Sequence, residues 1–185
     1  MMPSRQSSVF ALKVVVASCV AYLVAGALAY QLLTKRFYVG DAAIFAAFLR
    51  SEADPAQWRH VLVWQFPILL ARSALIALSL VPFRAALLAF TPRRRVAVLF
   101  VLFFVLLHFA AAAPSPSNLE GIVYMRPELI GVAPFLLTQP EMILQSLLLA
   151  IGTGLWAARG ATAPSLTAKP TSGGGLGTEG ARPAD

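Results

Sequence analysis

Apolar residues in this chain come in runs too long and too continuous for a soluble fold. The longest, Val61 to Phe90, reads VLVWQFPILLARSALIALSLVPFRAALLAF and carries Arg72 near its middle. None of the runs alternates with the period of two that a barrel strand needs, so they predict helices. A helix rises about 1.5 Å per residue, and a bilayer core takes about 20 residues to cross. Four segments reach that length, at about 14–33, 61–83, 95–113 and 139–158. The predicted fold class is all-α integral membrane. It is a four-transmembrane-helix bundle over residues 1–160, with short interfacial helices in the outer loops and a disordered cytoplasmic tail at 161–185. The tail is Gly, Ser, Thr, Ala and Pro with few apolar residues, which cannot build a core.

Polar punctuation sets the helix starts and stops. Asp54-Pro55-Ala56-Gln57 combines a capping side chain, a proline suited to the first helical position and a capping-box glutamine. Thr91-Pro92 repeats the cap-then-proline pattern. Ser117 to Glu120 and Thr138 to Glu141 read as two more capping boxes. Asp41 can cap a short helix, Ala42 to Arg50, whose Ile44, Phe45, Phe48 and Leu49 share a face suited to the interface. Leu129 to Leu137 is apolar but too short to span, so it is expected on the interface. Pro67 falls inside the second span and Pro82 near its end. Ala27-Leu28-Ala29 also fits a signal-peptide cleavage site. The run is long for a signal and continues to Gln31-Leu-Leu, so the first segment is read as a span, with cleavage as the alternative.

Composition agrees. The chain is 58% hydrophobic and 12% charged, with mean hydropathy +0.74. Soluble domains carry about twice that charged share. The net charge of +7 and pI of about 10.3 would suit a nucleic-acid binder. Here, however, the cations flank apolar runs, and no basic and aromatic platform accompanies them, so no nucleic-acid partner is expected. One cysteine, Cys19, rules out an intrachain disulfide and a thiolate cluster. Two histidines without ligand spacing predict no metal, and no cofactor motif is present.

Cation placement predicts the sidedness. Arg5, Lys13, Arg84, Arg93, Arg94, Arg95, Arg159, Lys169 and Arg182 fall on one side of the predicted spans, and Lys35, Arg36, Arg50, Arg59 and Arg126 on the other. The positive-inside bias puts both termini in the cytoplasm, and the high share of Arg, Ala and Pro suggests a bacterial inner membrane. Asp41, Glu52, Asp54, Glu120, Glu128 and Glu141 then lie toward the outer face.

An arginine at mid-bilayer must face protein or a ligand. Gln65, Arg72 and Ser79 recur every seven residues and line one stripe of the second span. From the helix rise, Gln65 lies about 6 Å below the outer boundary, His108 about 8 Å, Gln145 about 9 Å and Arg72 about 16 Å. Gln65, His108 and Gln145 are expected to share a layer that the Arg72 guanidinium reaches by leaning outward, since helix side chains point toward the N-terminus. Glu120, Arg126, Glu128 and Glu141 form a second candidate cluster in the outer loop.

Few reactive side chains and a small size favour a non-enzymatic accessory subunit or assembly factor of a membrane or envelope system, held by the bilayer and by a membrane-protein partner or a second copy. The first alternative is a small transporter or channel component taking an anion or lipid headgroup on Arg72. The second is an enzyme acting on a lipid-linked substrate at the outer face. It would use His108 with Glu120 or Glu128 as acid and base, and Arg72 or Arg126 on a phosphate. No nucleophile stands at a recognisable spacing from a base, so enzyme chemistry is the weakest of the three.

Overall fold

A computed structural model describes residues 5–41, 43–47, 49–111, 115–125 and 131–159. Among them the chain is helical, with no strand: α1 (Arg5–Ala29), α2 (Pro55–Leu80), α3 (Arg84–Ala89), α4 (Pro92–Phe104), α5 (Leu119–Tyr124) and α6 (Val132–Ile151). Three of these helices end in a wide π turn: α1 is followed by a 3-10 turn near its π turn (Tyr30–Thr34, then Lys35–Phe37), α4 by Val105–Phe109 and α6 by Gly152–Ala157. The expected tail at 161–185, together with Arg126 and Glu128, lies outside the described residues.

Three continuous helices are long and apolar enough to cross a membrane: Arg5–Phe37, Pro55–Leu80 and Val132–Ala157. The fourth expected span falls short. Its helix runs from Pro92 through the π turn to Phe109, but Arg93, Arg94 and Arg95 occupy its first turn, leaving only Val96 to Phe109 apolar. Three of the four expected spans are thus helices long enough to cross, and the third segment in chain order is this shorter helix.

Packing starts from small residues. On α1, Phe10, Val14, Ala17, Ser18, Ala21, Ala25 and Ala29 are buried, a stripe at three- and four-residue spacing. With no long side chains in the way, backbones approach closely. This stripe lets α1 lie against both α2 and α6, and α4 packs on the far side of α6. A Cβ on Gly152 would come 2.7 Å from the Ala17 Cβ, and one on Gly154 would come 2.9 Å from the Val96 Cγ2, so both glycines are needed for α6 to sit between its neighbours. The core joins Val14 and Ala21 of α1, Ile76 and Ala77 of α2, Leu99 and Phe103 of α4, and Leu149 and Ala150 of α6. Outward faces carry Leu12, Leu32, Leu62, Ile68, Leu75 and Leu106, the surface a lipid solvent calls for. Between α1 and α2 the Ser73 hydroxyl donates to Ser18 Oγ at 2.9 Å and accepts from the Cys19 thiol at 3.4 Å.

The caps hold in part. Asp54 accepts from the backbone N–H groups of Ala56 and Gln57, at 2.9 and 3.2 Å, with Pro55 opening α2. The cap of α5 is Asn118, not Ser117. Its side-chain oxygen accepts from Gly121 N at 2.8 Å and Ser115 N at 3.1 Å, while its amide donates to Ala111 O. Thr138 to Glu141 starts no helix. α6 begins after Gly131 and runs through Pro140, so Val132 to Leu137 is the first part of that helix and not a separate segment. A proline withholds one N–H and leaves a carbonyl open one turn back. The side chains just before the proline bond other carbonyls: Thr138 Oγ1 donates to Pro134 O and Phe135 O, and Gln139 Nε2 reaches Phe135 O and, at 2.8 Å, Ser117 O in the loop before α5. The helix expected from Ala42 to Arg50 is a single 3-10 turn, Ile44–Ala47, with Ala42 and Phe48 outside the described residues. Phe45 is buried against Phe37 and Tyr38, so this turn packs on the end of α1.

The helices alternate in direction, which sorts the charges. The start of α1, the α2–α4 connection and the end of α6 meet at one end: Lys13 Nζ donates to Arg159 O, Arg84 to Gln6 Oε1, and Arg95 to Gly154 O. Arg5, Lys13, Arg84, Arg93, Arg94, Arg95 and Arg159 belong to this arginine end. The described acids, Asp41, Glu52, Asp54, Glu120 and Glu141, belong to the opposite, aromatic end.

Candidate functional site

At the aromatic end a cleft of about 690 Å³ opens between α1, the connection after it, α2 and α6. Each wall follows from local sequence. Tyr22 and Gly26 stand four residues apart on one face of α1, and Tyr30, the first residue of the π turn, continues the spacing. The π turn at Tyr30–Thr34, where Thr34 Oγ1 donates to Ala29 O, carries the chain over the top. Tyr30 and Tyr38 meet edge to face with centroids 5.2 Å apart, and Tyr38 meets Phe45 the same way at 5.3 Å. Trp58, Val61 and Gln65, spaced three and four apart, form the α2 wall. Glu141 of α6 closes the floor. Its Oε1 lies so near α1 that a Cβ on Gly26 would stand 3.6 Å from it.

The rim holds paired and unpaired charge. Lys35 Nζ and Glu52 Oε1 are 2.7 Å apart. The hydrogen bond from Lys35 holds the Glu52 carboxyl below the usual range, helped by the Lys35 charge and by Tyr30. Tyr38 is pushed up to about 12, first by burial, then by the nearby Glu141 carboxylate and by Tyr22 and Tyr30. Arg50 lines the cleft and is exposed.

The expected intramembrane layer is brought together only in part. Arg72 and His108 are within electrostatic reach of each other. The Arg72 guanidinium carbon stands 5.5 Å from the centroid of the Tyr22 ring, a cation–π contact, and its Nη1 is buried without a hydrogen-bond partner. Gln145 is buried in α6. Gln65 is exposed and lines the cleft, which breaks the predicted layer: the start of α2, from Leu62 to Ile68, is exposed throughout. The outer-loop cluster separates too. Glu141 sits in the cleft inside α6, whereas Glu120 lies on the first turn of α5 and does not line the cleft.

Sequence reasoning passed over Tyr22, Tyr30, Tyr38, Trp58 and Gly26. The signal was there in the four-residue spacing of Tyr22, Gly26 and Tyr30 beside the Ala17, Ala21, Ala25 and Ala29 stripe. Apolar runs draw attention to charges, and neutral aromatics within them read as lipid-facing.

Chemically, the cleft offers aromatic faces and a carboxylate to one part of a ligand and a guanidinium to another. Aromatic faces attract cations through their quadrupole, and Glu141 adds the opposite charge when it is ionised. Among the described residues no three side chains of metal-binding type cluster. Comparison with protein-family models, curated proteins and solved structures finds no match for the chain.

Proposed function

We propose that this chain is a four-span protein of a bacterial inner membrane, with both termini cytoplasmic, that works by binding and not by catalysis. Its ligand carries an alkylammonium group, enters the outer-side cleft, and is held there by Glu141 between Tyr22, Tyr30, Tyr38 and Trp58. The observation that supports this most is the meeting of a carboxylate with four aromatic side chains in one cleft large enough for a headgroup or a small organic cation. Arg72 lies behind Tyr22 and does not line the cleft, so its part is to fix that ring. This moves the binding reading from an anion on Arg72 to a cation on Glu141, within a transporter or binding component.

The test is equilibrium binding of tetraphenylphosphonium and of choline to the purified protein in detergent. Glu141→Gln is expected to weaken binding about tenfold or more, equivalent to about 1.4 kcal/mol, with Tyr22→Leu following in the same direction. Equal affinity in wild type and Glu141→Gln would refute it.

A second reading, the accessory subunit, is favoured by the exposed start of α2. Gln65 there stands among Leu62, Val63, Trp64, Phe66 and Ile68, a polar group on a face that a neighbouring helix would cover better than lipid. A partner that co-purifies with the wild type and is lost from Gln65→Leu would support it. Unchanged partner recovery would count against it.

A further inference from the structure

The arginine end holds a second cavity, of about 330 Å³, and its lining is unlike the cleft's. Arg5 from the start of α1, Arg84 from the start of α3 and Arg159 from beyond α6 converge on it, with Gln6, Val9 and Phe10. These cations come from three remote stretches of sequence. A bias of basic residues toward one membrane side accounts for their side, but not for three guanidiniums sharing one cavity, where like charges raise one another's energy. Among the described residues no carboxylate lines the cavity, and every described acid belongs to the opposite end of the molecule. Arg84 is only partly satisfied: one terminal nitrogen donates to Gln6 Oε1 at 3.0 Å, while its Nε is shielded from solvent and has no hydrogen-bond partner. Lys13 adds a fourth cation nearby, donating to Arg159 O and standing 5.7 Å from the centroid of the Trp156 ring. By contrast Arg95, in the same part of the molecule, has its guanidinium fully employed on backbone carbonyls.

We infer that this cavity is a phosphate-binding site, in which Arg5, Arg84 and Arg159 together hold one phosphate-bearing anion. Guanidinium groups match phosphate oxygens in pairs, and basic pockets between helix ends suit anionic headgroups. Val9 and Phe10 on one wall suit the apolar part of a lipid, so an anionic phospholipid is the favoured source. A free phosphate compound would use the same guanidiniums. The inference is independent of the cleft, since no residue is shared between the two linings.

The experiment is native mass spectrometry of the full-length protein from nanodiscs of mixed phosphatidylglycerol and phosphatidylcholine, alongside thermal melting in detergent with added inorganic phosphate. Arg159→Gln and the double variant Arg84→Gln with Arg159→Gln are compared with wild type. Arg159 makes no side-chain bond to the rest of the fold that any described contact requires, so its variant keeps the test sound if loss of Arg84 disturbs folding. Each guanidinium near a membrane surface is worth about 1 kcal/mol to an anionic headgroup, so each removal should lower phosphatidylglycerol retention roughly fivefold. Retention of phosphatidylglycerol over phosphatidylcholine by wild type, lost stepwise in the variants, supports the site with lipid as its source. Wild type that retains no lipid but melts higher with millimolar phosphate, while Arg159→Gln does not respond, supports the same site with a free anion. Equal retention of both lipids, or no difference between wild type and Arg159→Gln in either readout, overturns it.

Discussion

The two ends of this molecule treat charge in opposite ways. At the arginine end, Arg95 is committed to the fold. Its guanidinium donates to Leu87 O, Leu88 O and Phe90 O, where α3 ends, and to Gly154 O in the last turn of α6, at 2.7 to 3.3 Å. The last carbonyls of a helix have no partner within it, and a cation there also suits the helix dipole. At the aromatic end the described carboxylates do less for the fold. Asp54 caps α2, Glu52 pairs with Lys35 on an exposed rim, and Glu141 faces a cleft. The lesson is that a run of three arginines, which as a sequence reports only sidedness, contains one residue that closes the structure, while two acids from separate elements, Glu52 and Glu141, end up on one opening.

The largest effect is expected at Arg95. Arg95→Leu leaves four carbonyls without their donor and should cost about 3 kcal/mol or more, read as a fall in melting temperature in detergent. Arg95→Lys keeps the charge but cannot reach the same set of acceptors, so it should recover only a minor part. Full recovery would mean that charge, not the fork of bonds, matters there. At the opposite end, Gly121→Ala places a Cβ into the Ser115 carbonyl. The loop must move, at about 1–3 kcal/mol, with faster proteolysis around the α4–α5 connection as the readout. Between the ends, Ser73→Ala removes its bonds to Ser18 and Cys19 and should cost about 1 kcal/mol. The smallest effect belongs to Glu52. Because its folded-state pKa is lowered, whatever the pair with Lys35 contributes is present above the ordinary carboxylate range, near about 4.3, and is lost as pH falls through the lower folded value. The group is half-exposed and its pair is open to solvent screening, so Glu52→Gln should leave melting at neutral pH unchanged within error. A clear drop would show that the rim pair holds the cleft together.

Much of the fold was legible because membrane helices are written in long apolar runs and cap residues. Asp54-Pro55 marked the start of α2 to the residue, and the Gly152 to Gly154 approach was readable from small residues alone. What misled was local chemistry that tertiary contacts reuse. Thr138 and Gln139 look like a cap, yet they bond the Pro134 and Phe135 carbonyls inside a longer helix that runs through Pro140. The depth estimate placed Gln65 level with His108 and Gln145, but depth says nothing about which way a helix is turned or how far it splays, and the start of α2 stands apart from its neighbours. Of the candidate sites, Glu141 and Gln65 came together from two separate predicted clusters, because the cleft lies between elements that no single stretch contains.

We propose that the arginine end and the aromatic end face opposite sides of a bilayer, with the cleft outward. This arrangement is tested most directly by labelling single-cysteine variants in intact cells with a membrane-impermeant maleimide, in a Cys19→Ala background. Arg50→Cys at the cleft rim and Arg93→Cys at the start of α4 are the pair to compare. The account predicts that position 50 labels at once and position 93 only after the cells are permeabilised. Labelling of position 93 from outside, or of both positions together, would contradict it.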